Sequence, residues 1–221
     1  MKSWADISWT RAVVSENLKI AESAYLLKFP RTFDFQAGQV VALGTDPDLA
    51  PRLYSIASGE QDPFVDILFT EKSGGSLTPM LSRLKPGDSL MVSKPFGTFT
   101  KIQPGSVLVA AGTRLAPFMS ALKSGKARGA TVIHGASYPE FFYFDEYLEE
   151  TLKEKYLRCC SRVAGGDWFH GRVTAFIEQW KGLDPGRKHY LCGSAEMVVQ
   201  TRDRLISRGV PFKNIDAEIF F

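Results

Sequence analysis

Cysteine is scarce in this sequence: 221 residues hold only Cys159, Cys160 and Cys192, two of them adjacent. Such a set is too small and too odd for a disulfide framework. It also cannot supply the four thiolates of an iron–sulfur or zinc centre. Reduced thiols in a cytoplasmic protein are the expectation. Histidine is equally rare. His134, His170 and His189 stand apart from other ligand-type residues, so no metal site is expected. Charge of one sign is lacking too: a net +3 is far from the concentrated basic face of a nucleic-acid binder. No apolar run approaches the roughly 20 residues of a membrane span, and the first residues carry no signal-peptide core. A soluble chain that avoids nucleic acid and membranes, and works as a monomer, is expected.

What remains is the composition of an ordinary globular protein, 44% hydrophobic and 23% charged. At this length two domains are the natural division. Acidic and basic residues balance up to residue 104, so the small basic surplus lies wholly in the rest of the chain. A phosphate-bearing ligand is expected there.

The two halves differ in pattern. Short strands are predicted over 11–14, 24–29, 39–43, 53–57, 65–70 and 89–92. The turn pairs Ala37-Gly38, Asp46-Pro47, Asp62-Pro63, Gly74-Gly75 and Pro86-Gly87 separate them. One helix fits this half, from Leu77 to about Leu84, with Leu77, Met80, Leu81 and Leu84 at helical spacing. Many short strands with one helix argue for a sandwich or a small closed barrel. After Pro104-Gly105 apolar strands over 107–111, 130–135, 156–160, 189–192 and 217–221 alternate with helices over 116–123, 142–153, 173–180 and 195–208. Strands without polar alternation, separated by helices, make a parallel sheet covered on both faces. The expected architecture is a β domain over residues 1–102 and a doubly wound parallel α/β domain over residues 103–221.

Two strings in the first half carry chemistry. In Arg52-Leu53-Tyr54-Ser55, strand alternation puts Arg52 and Tyr54 on one face, with Leu53 and Ser55 on the other. An arginine fork suits a diphosphate and a tyrosine face suits a flat ring, although a solvated pair has the same spacing. Gly74-Gly75-Ser76-Leu77-Thr78 opens the one helix. Backbone donors at that entry make an anion site, and the same residues also serve as an ordinary helix cap.

Together these strings resemble the flavin domain of the ferredoxin–NADP reductase family, and the likeness continues to the last residue. Gly112-Thr113-Arg114-Leu115-Ala116-Pro117 is similar to the family's Gly-Thr-Gly-x-Ala-Pro turn. Cys192-Gly193-Ser194-Ala195-Glu196-Met197 is similar to its Cys-Gly-x-x-x-Met motif, and Glu218-Ile219-Phe220-Phe221 to its acidic-then-aromatic end. The resemblance implies an antiparallel Greek-key β-barrel that binds FAD, followed by an NADP(H) domain. Arg52 would hold the FAD diphosphate with Thr78 and the amides of Gly75, Ser76 and Leu77. Tyr54 would stack on the flavin, Leu53 would line the same strand, and Ser55 would lie beside flavin N5. Gly112, Thr113 and Arg114 would face the nucleotide diphosphate. Cys192, with Gly193 and Met197, would meet the nicotinamide. Ser55, Cys192 and Glu218 would serve the chemistry, and Phe220 or Phe221 would either shield the flavin or fill the sheet edge.

Cys160-Ser161-Arg162 ends the third strand of the second half, and Gly171-Arg172 follows. In family members that use NADP, a Ser-Arg pair here binds the adenosine 2′-phosphate. A dianion wants a bidentate guanidinium and a hydroxyl donor. Three departures stand out. Val163 occupies a position where the family often has Glu, Ser137 one where bacterial relatives carry Arg, and Arg114 replaces the second glycine of the turn. Arg114 could contact a phosphate or crowd the path of the nicotinamide. The implied activity is electron transfer between NADP(H) and a transient ferredoxin or flavodoxin partner. The alternative is an NADH-dependent reductase of an oxygenase, or a free-flavin reductase.

Overall fold

The computed structural model describes residues 7–45 and 50–219. The chain divides into two compact units, Met1–Lys101 with Ala116–Ser124, and Ile102–Leu115 with Gly125–Phe221.

Alternation of apolar side chains builds the first unit. Its strands are β1 (Trp9–Val13), β2 (Glu16–Lys19), β3 (Ala24–Pro30), β4 (Val40–Gly44), β5 (Arg52–Ser55), β6 (Phe64–Thr70) and β7 (Ser89–Ser93). They pair antiparallel in the orders β1-β7-β4-β5 and β2-β3-β6, and an isolated Ile56–Ile67 bridge joins the two sheets. Neighbours that are far apart in sequence, such as β1 with β7, make this the Greek-key barrel of the sequence expectation. Leu27 and Phe29 of β3, Val41 and Leu43 of β4, Ile67 and Phe69 of β6 and Leu90 and Val92 of β7 all point into one buried core. β2 has no counterpart among the predicted strands. Glu16-Asn17-Leu18-Lys19 has three exposed residues and sits at a sheet edge, so no burial pattern marks it.

The helix expected over 77–84 is shorter, α1 (Thr78–Leu81), and only single-turn bonds from Arg83 and Leu84 continue it. Leu81 is fully buried and ties α1 to the barrel core. Asn17 secures the other end: its Nδ2 donates to the carbonyls of Leu81 (2.9 Å), Ser82 (3.3 Å) and Leu84 (2.9 Å). These are carbonyls that a helix end leaves unsatisfied. Asn17→Ala strands them, and the expected loss is about 1–2 kcal/mol of unfolding free energy, read as a lower urea midpoint at unchanged slope.

The second unit holds a six-stranded sheet in the order β11-β10-β9-β8-β12-β13, every pair parallel. Its strands are β8 (Val107–Ala111), β9 (Thr131–Ala136), β10 (Tyr156–Cys160), β11 (Phe169–His170), β12 (His189–Gly193) and β13 (Ile215–Ile219). The helices are α2 (Ala116–Lys123), α3 (Asp145–Leu152), α4 (Val173–Gln179) and α5 (Ala195–Ser207). α2 follows β8 in sequence but groups with the first unit, where Phe118 packs on Phe99 (5.9 Å) and Lys123 pairs with Asp66 (3.2 Å). The helix predicted from 142 begins only at Asp145. Phe144 adopts a left-handed φ of 58°, and Pro139–Phe141 form a separate single turn. β11 is two residues long, too short to leave a periodic signal.

Candidate functional site

The strand β5 presents the first cluster. Arg52 is exposed and makes no ion pair among the described residues, while Tyr54 two positions on is half-buried with its ring edge on Phe69 (6.2 Å). Burial pushes the Tyr54 hydroxyl up to about 12, against a weaker downward pull from Arg52, so it remains neutral. Ser55 is buried, and its Oγ has no hydrogen-bond partner among the described residues.

The turn before α1 is built around glycine. Gly74 has φ +72°, and a Cβ on Gly75 would lie 2.9 Å from the Lys72 carbonyl and 3.2 Å from Thr78 Oγ1. Thr78 Oγ1 accepts from Lys72 N (2.9 Å), which closes the turn and leaves the hydroxyl proton free to donate outward. Neither Ser76 nor Thr78 caps the helix with its side chain. The capping alternative allowed by the sequence is therefore not what these residues do. Leu77 is buried as a core anchor, so it contributes its amide rather than its side chain.

The second cluster gathers at the C-terminal ends of the parallel strands. The chain runs outward from β8 through β9 and β10 to β11, then returns to the other side of β8 as β12. This reversal is the topological switch point at which open α/β sheets bind nucleotides. Gly112, with φ +58°, leaves β8 into a single turn, Gly112–Leu115, that carries Thr113 and Arg114. On the other side Gly193 ends β12, Ser194 caps α5 by accepting from Met197 N (3.3 Å), and Met197 folds its thioether against Gly193. The Cys-Gly-x-x-x-Met spacing follows from that cap and that contact.

Cys192 is fully buried and pairs in register with Glu218 of β13 and Ala110 of β8. Burial pushes its thiol up, Glu218 adds to the rise, and Arg114 opposes it, so the sulfur stays protonated. Burial also raises the Glu218 carboxyl to about 7. The folded state thus binds the proton more tightly than the unfolded chain. The stability that Glu218 contributes is fully present below the ordinary value of 4.5 and is lost as pH rises through 7. Glu218→Gln is expected to flatten that part of a melting-temperature profile between pH 4 and 8, and an unaltered profile would show that another group titrates. Phe220 and Phe221 lie outside the described residues.

A third set lies beyond β9 and β10, where the backbone stays zipped after the strands end. Ser161 N donates to Ala136 O (3.0 Å), Arg162 N to Ser137 O (3.1 Å) and Gly171 N to Cys160 O (2.8 Å). This brings Ser161, Arg162 and Arg172 to one strand end. The Arg162 guanidinium lies 5.9 Å from the Tyr138 ring centroid, which holds it over an exposed aromatic face. Arg172 makes only a long, exposed pair with Glu196 (3.8 Å) and remains available.

Comparison with known proteins places the chain among flavin-dependent reductases. Residues 10–101 match the oxidoreductase FAD-binding domain family. A ferredoxin–NADP reductase of Azotobacter vinelandii is 31% identical over 206 residues, covering 80% of each chain. The chain belongs to the ferredoxin–NADP reductase family. Also similar is terephthalate 1,2-dioxygenase reductase component 1 of Comamonas sp., 26% identical, covering 96% of this chain and 68% of that one. The fold superposes on a ferredoxin NADP+ reductase from Neisseria gonorrhoeae, crystallised with FAD and NADP, with TM-score 0.85 at 20% identity over 96% of this chain and 99% of that one.

Within this family's frame the residues around β5 and α1 suit FAD: a buried hydroxyl and a guanidinium, neither paired among the described residues, and Gly75, where a Cβ would meet the Lys72 carbonyl. Two contributors escape sequence reasoning. Asn17 acts through α1 from an edge strand without a pattern, and no local signal could have revealed it. Tyr138 could have been found as an exposed aromatic just after an apolar strand. His134 is the opposite case: fully buried, with Nδ1 3.0 Å from the Tyr156 hydroxyl, and held neutral because burial drives its value down to about 3. Cys159 and Cys160 are buried in the sheet, as hydrophobe-like thiols would be.

Proposed function

We propose that this chain is an FAD-dependent oxidoreductase that moves electrons between NADP(H) and a one-electron carrier of the ferredoxin or flavodoxin type. The observation that carries the nucleotide choice is the zipped strand end, which brings the Ser161 hydroxyl and two exposed guanidinium groups, Arg162 and Arg172, to one end of the sheet. A 2′-phosphate dianion is the ligand such a set recognises.

In this reading Arg52, Thr78 and the amides of Gly75, Ser76 and Leu77 hold the FAD diphosphate, and Leu53 and Tyr54 line the ring system. Bound FAD supplies the means to accept two electrons together and release them singly. Ser55 would lie beside flavin N5 and offer its hydroxyl proton there. Gly112 and Thr113 face the nucleotide diphosphate through backbone donors at a turn entering a helix. Gly193 and Met197 form the wall of the nicotinamide pocket, and the neutral Cys192 thiol keeps that wall dry. Glu218, ionising near neutrality, is placed to hold or release a proton at Oε2. We read the protein as a cytoplasmic monomer that engages its carrier transiently and binds neither nucleic acid nor membrane. Among the described residues no helix is long and apolar enough to cross a membrane.

The decisive experiment is anaerobic reduction of the FAD-loaded protein by NADPH and by NADH, followed by transfer to ferredoxin and to flavodoxin over a range of ionic strength. The expected result is faster reduction by NADPH and salt-sensitive transfer to at least one carrier. Preference for NADH, with transfer only to free FMN or an oxygenase, would reject it.

A further inference from the structure

We propose that the end of the parallel sheet remote from Gly112, Gly193 and Ser161 is a docking platform for an acidic protein surface. Every strand pair is parallel, so the segments leading into the strands gather at one end of the sheet, and Gly112, Gly193 and Ser161 stand where strands finish at the other. Four of these segments, 125–130 before β9, 153–155 before β10, 180–188 before β12 and 208–214 before β13, hold nine basic and two acidic side chains. Elsewhere in residues 105–221 acidic side chains outnumber basic ones. The basic surplus of the second half therefore lies at the end of the sheet away from the Ser161-Arg162 strand end. Hydrogen bonds knit the segments together in strand order. Lys155 Nζ donates to Gly129 O (3.5 Å), Gly105 N to Arg128 O (2.9 Å), Arg187 Nε to Gly105 O (2.6 Å) and Asn214 Nδ2 to Pro185 O (3.0 Å). At the spacing of neighbouring strands the platform runs roughly 20 Å across the sheet.

The bonds from Lys155 and Arg187 end on backbone carbonyls, so they fix the loops and leave the positive charge uncancelled. Arg128, Lys181 and Lys213 are exposed and make no ion pair among the described residues. Phe212, next to Lys213, is 70% exposed, more than any other large apolar side chain among the described residues. A patch about twice as wide as the Debye length of roughly 10 Å at 0.1 M salt keeps its attraction for an anionic partner. The two carboxylates decide which kind. A nucleic-acid backbone or an anionic bilayer presents one sign of charge and would repel the exposed Glu154 and Asp184. A protein surface can set a cation opposite each carboxylate, anions opposite the lysines and a pocket around Phe212. An aromatic anchor within mixed charge is the make-up of a protein interface. Such a partner holds the sheet from the end that the nucleotide motifs do not use.

Fluorescence anisotropy of labelled polymers with the full chain, measured without nucleotide, tests this apart from the functional reading. The probes are polyglutamate, a glutamate-rich copolymer of glutamate and tyrosine, duplex DNA, and phosphatidylserine vesicles read by co-sedimentation. The copolymer should bind tightest and weaken as salt rises. Combined Arg128→Glu, Lys181→Glu and Lys213→Glu should weaken it about ten-fold or more. The corresponding Gln variants should lose less, and they carry the test where the reversed chain fails to keep its melting temperature. Phe212→Ser should bring the copolymer down to the level of polyglutamate and leave polyglutamate unchanged, because only the copolymer offers an apolar ring. Reversing Arg11, Lys19 and Lys85 of the first unit should change every affinity by less than about two-fold. Equal weakening by that control set would mean that net charge alone drives binding, and would overturn the proposal. Tighter binding of DNA or of the vesicles than of the copolymer would overturn it in favour of those partners, and no binding of the copolymer at low salt would reject the platform outright.

Discussion

Arg52→Ala is expected to lower FAD affinity by roughly ten- to a hundred-fold. Arg52 sits on β5 two positions before Tyr54, exposed and without an ion pair among the described residues. Its removal deletes a charge-assisted contact worth about 1.5–3 kcal/mol and leaves the other diphosphate donors, the turn amides and Thr78, in place. The apoprotein should therefore melt as before, and the difference should appear only with cofactor, since a ligand that binds the folded state alone stabilises it in proportion to occupancy. Arg52→Lys should recover part of the affinity, because a point charge lacks the planar fork. Fluorescence titration of the apoprotein with FAD gives the number. Wild-type affinity in the alanine variant would mean that the diphosphate lies elsewhere.

Arg162→Ala should raise the KM for NADPH by roughly ten- to a hundred-fold and leave that for NADH within about two-fold, because only NADPH offers the 2′-phosphate. Its position is set by the Arg162 N–Ser137 O bond and by Tyr138, whose ring lies 5.9 Å from the guanidinium. Tyr138→Ala should repeat the effect weakly, since an exposed cation–π contact is worth about 0.5–1 kcal/mol. Arg172→Ala should also act on NADPH alone, and its exposed 3.8 Å pair with Glu196 offers little to lose otherwise. Equal losses with both nucleotides would show that Arg162 supports the diphosphate or the fold. Steady-state rates with an artificial acceptor, measured with both nucleotides at one ionic strength, separate these outcomes.

Chain-local features were legible from residue order alone. The alternation of Leu27 and Phe29, and the unbroken apolar run from Val107 to Ala110, set one sheet antiparallel and the other parallel, because strand faces have a period of two and sheet burial shows directly in composition. Gly75 and Gly112 marked turns for the same reason: each occupies a backbone position that a side chain would strain or block. The Ser161-Arg162 and Gly171-Arg172 pairs were visible as functional groups in the residue order, and the phosphate proposed for them awaits the nucleotide comparison above.

Only the tertiary structure could decide which groups meet. Asn17 reaches the end of α1 across more than sixty residues of sequence, and nothing in an edge strand of exposed polar residues foretells the partner. Phe144 stops α3 from starting early by a left-handed backbone that its neighbours, not its own preference, impose. The grouping of α2 with the first unit, and the register that sets Cys192 beside Glu218, likewise depend on tertiary packing. Local sequence determines periodicity, turns and chemical type because these depend on neighbouring residues. Strand order, side-chain partners and the polar atoms left unpaired are global consequences of packing, which no stretch of sequence read by itself contains.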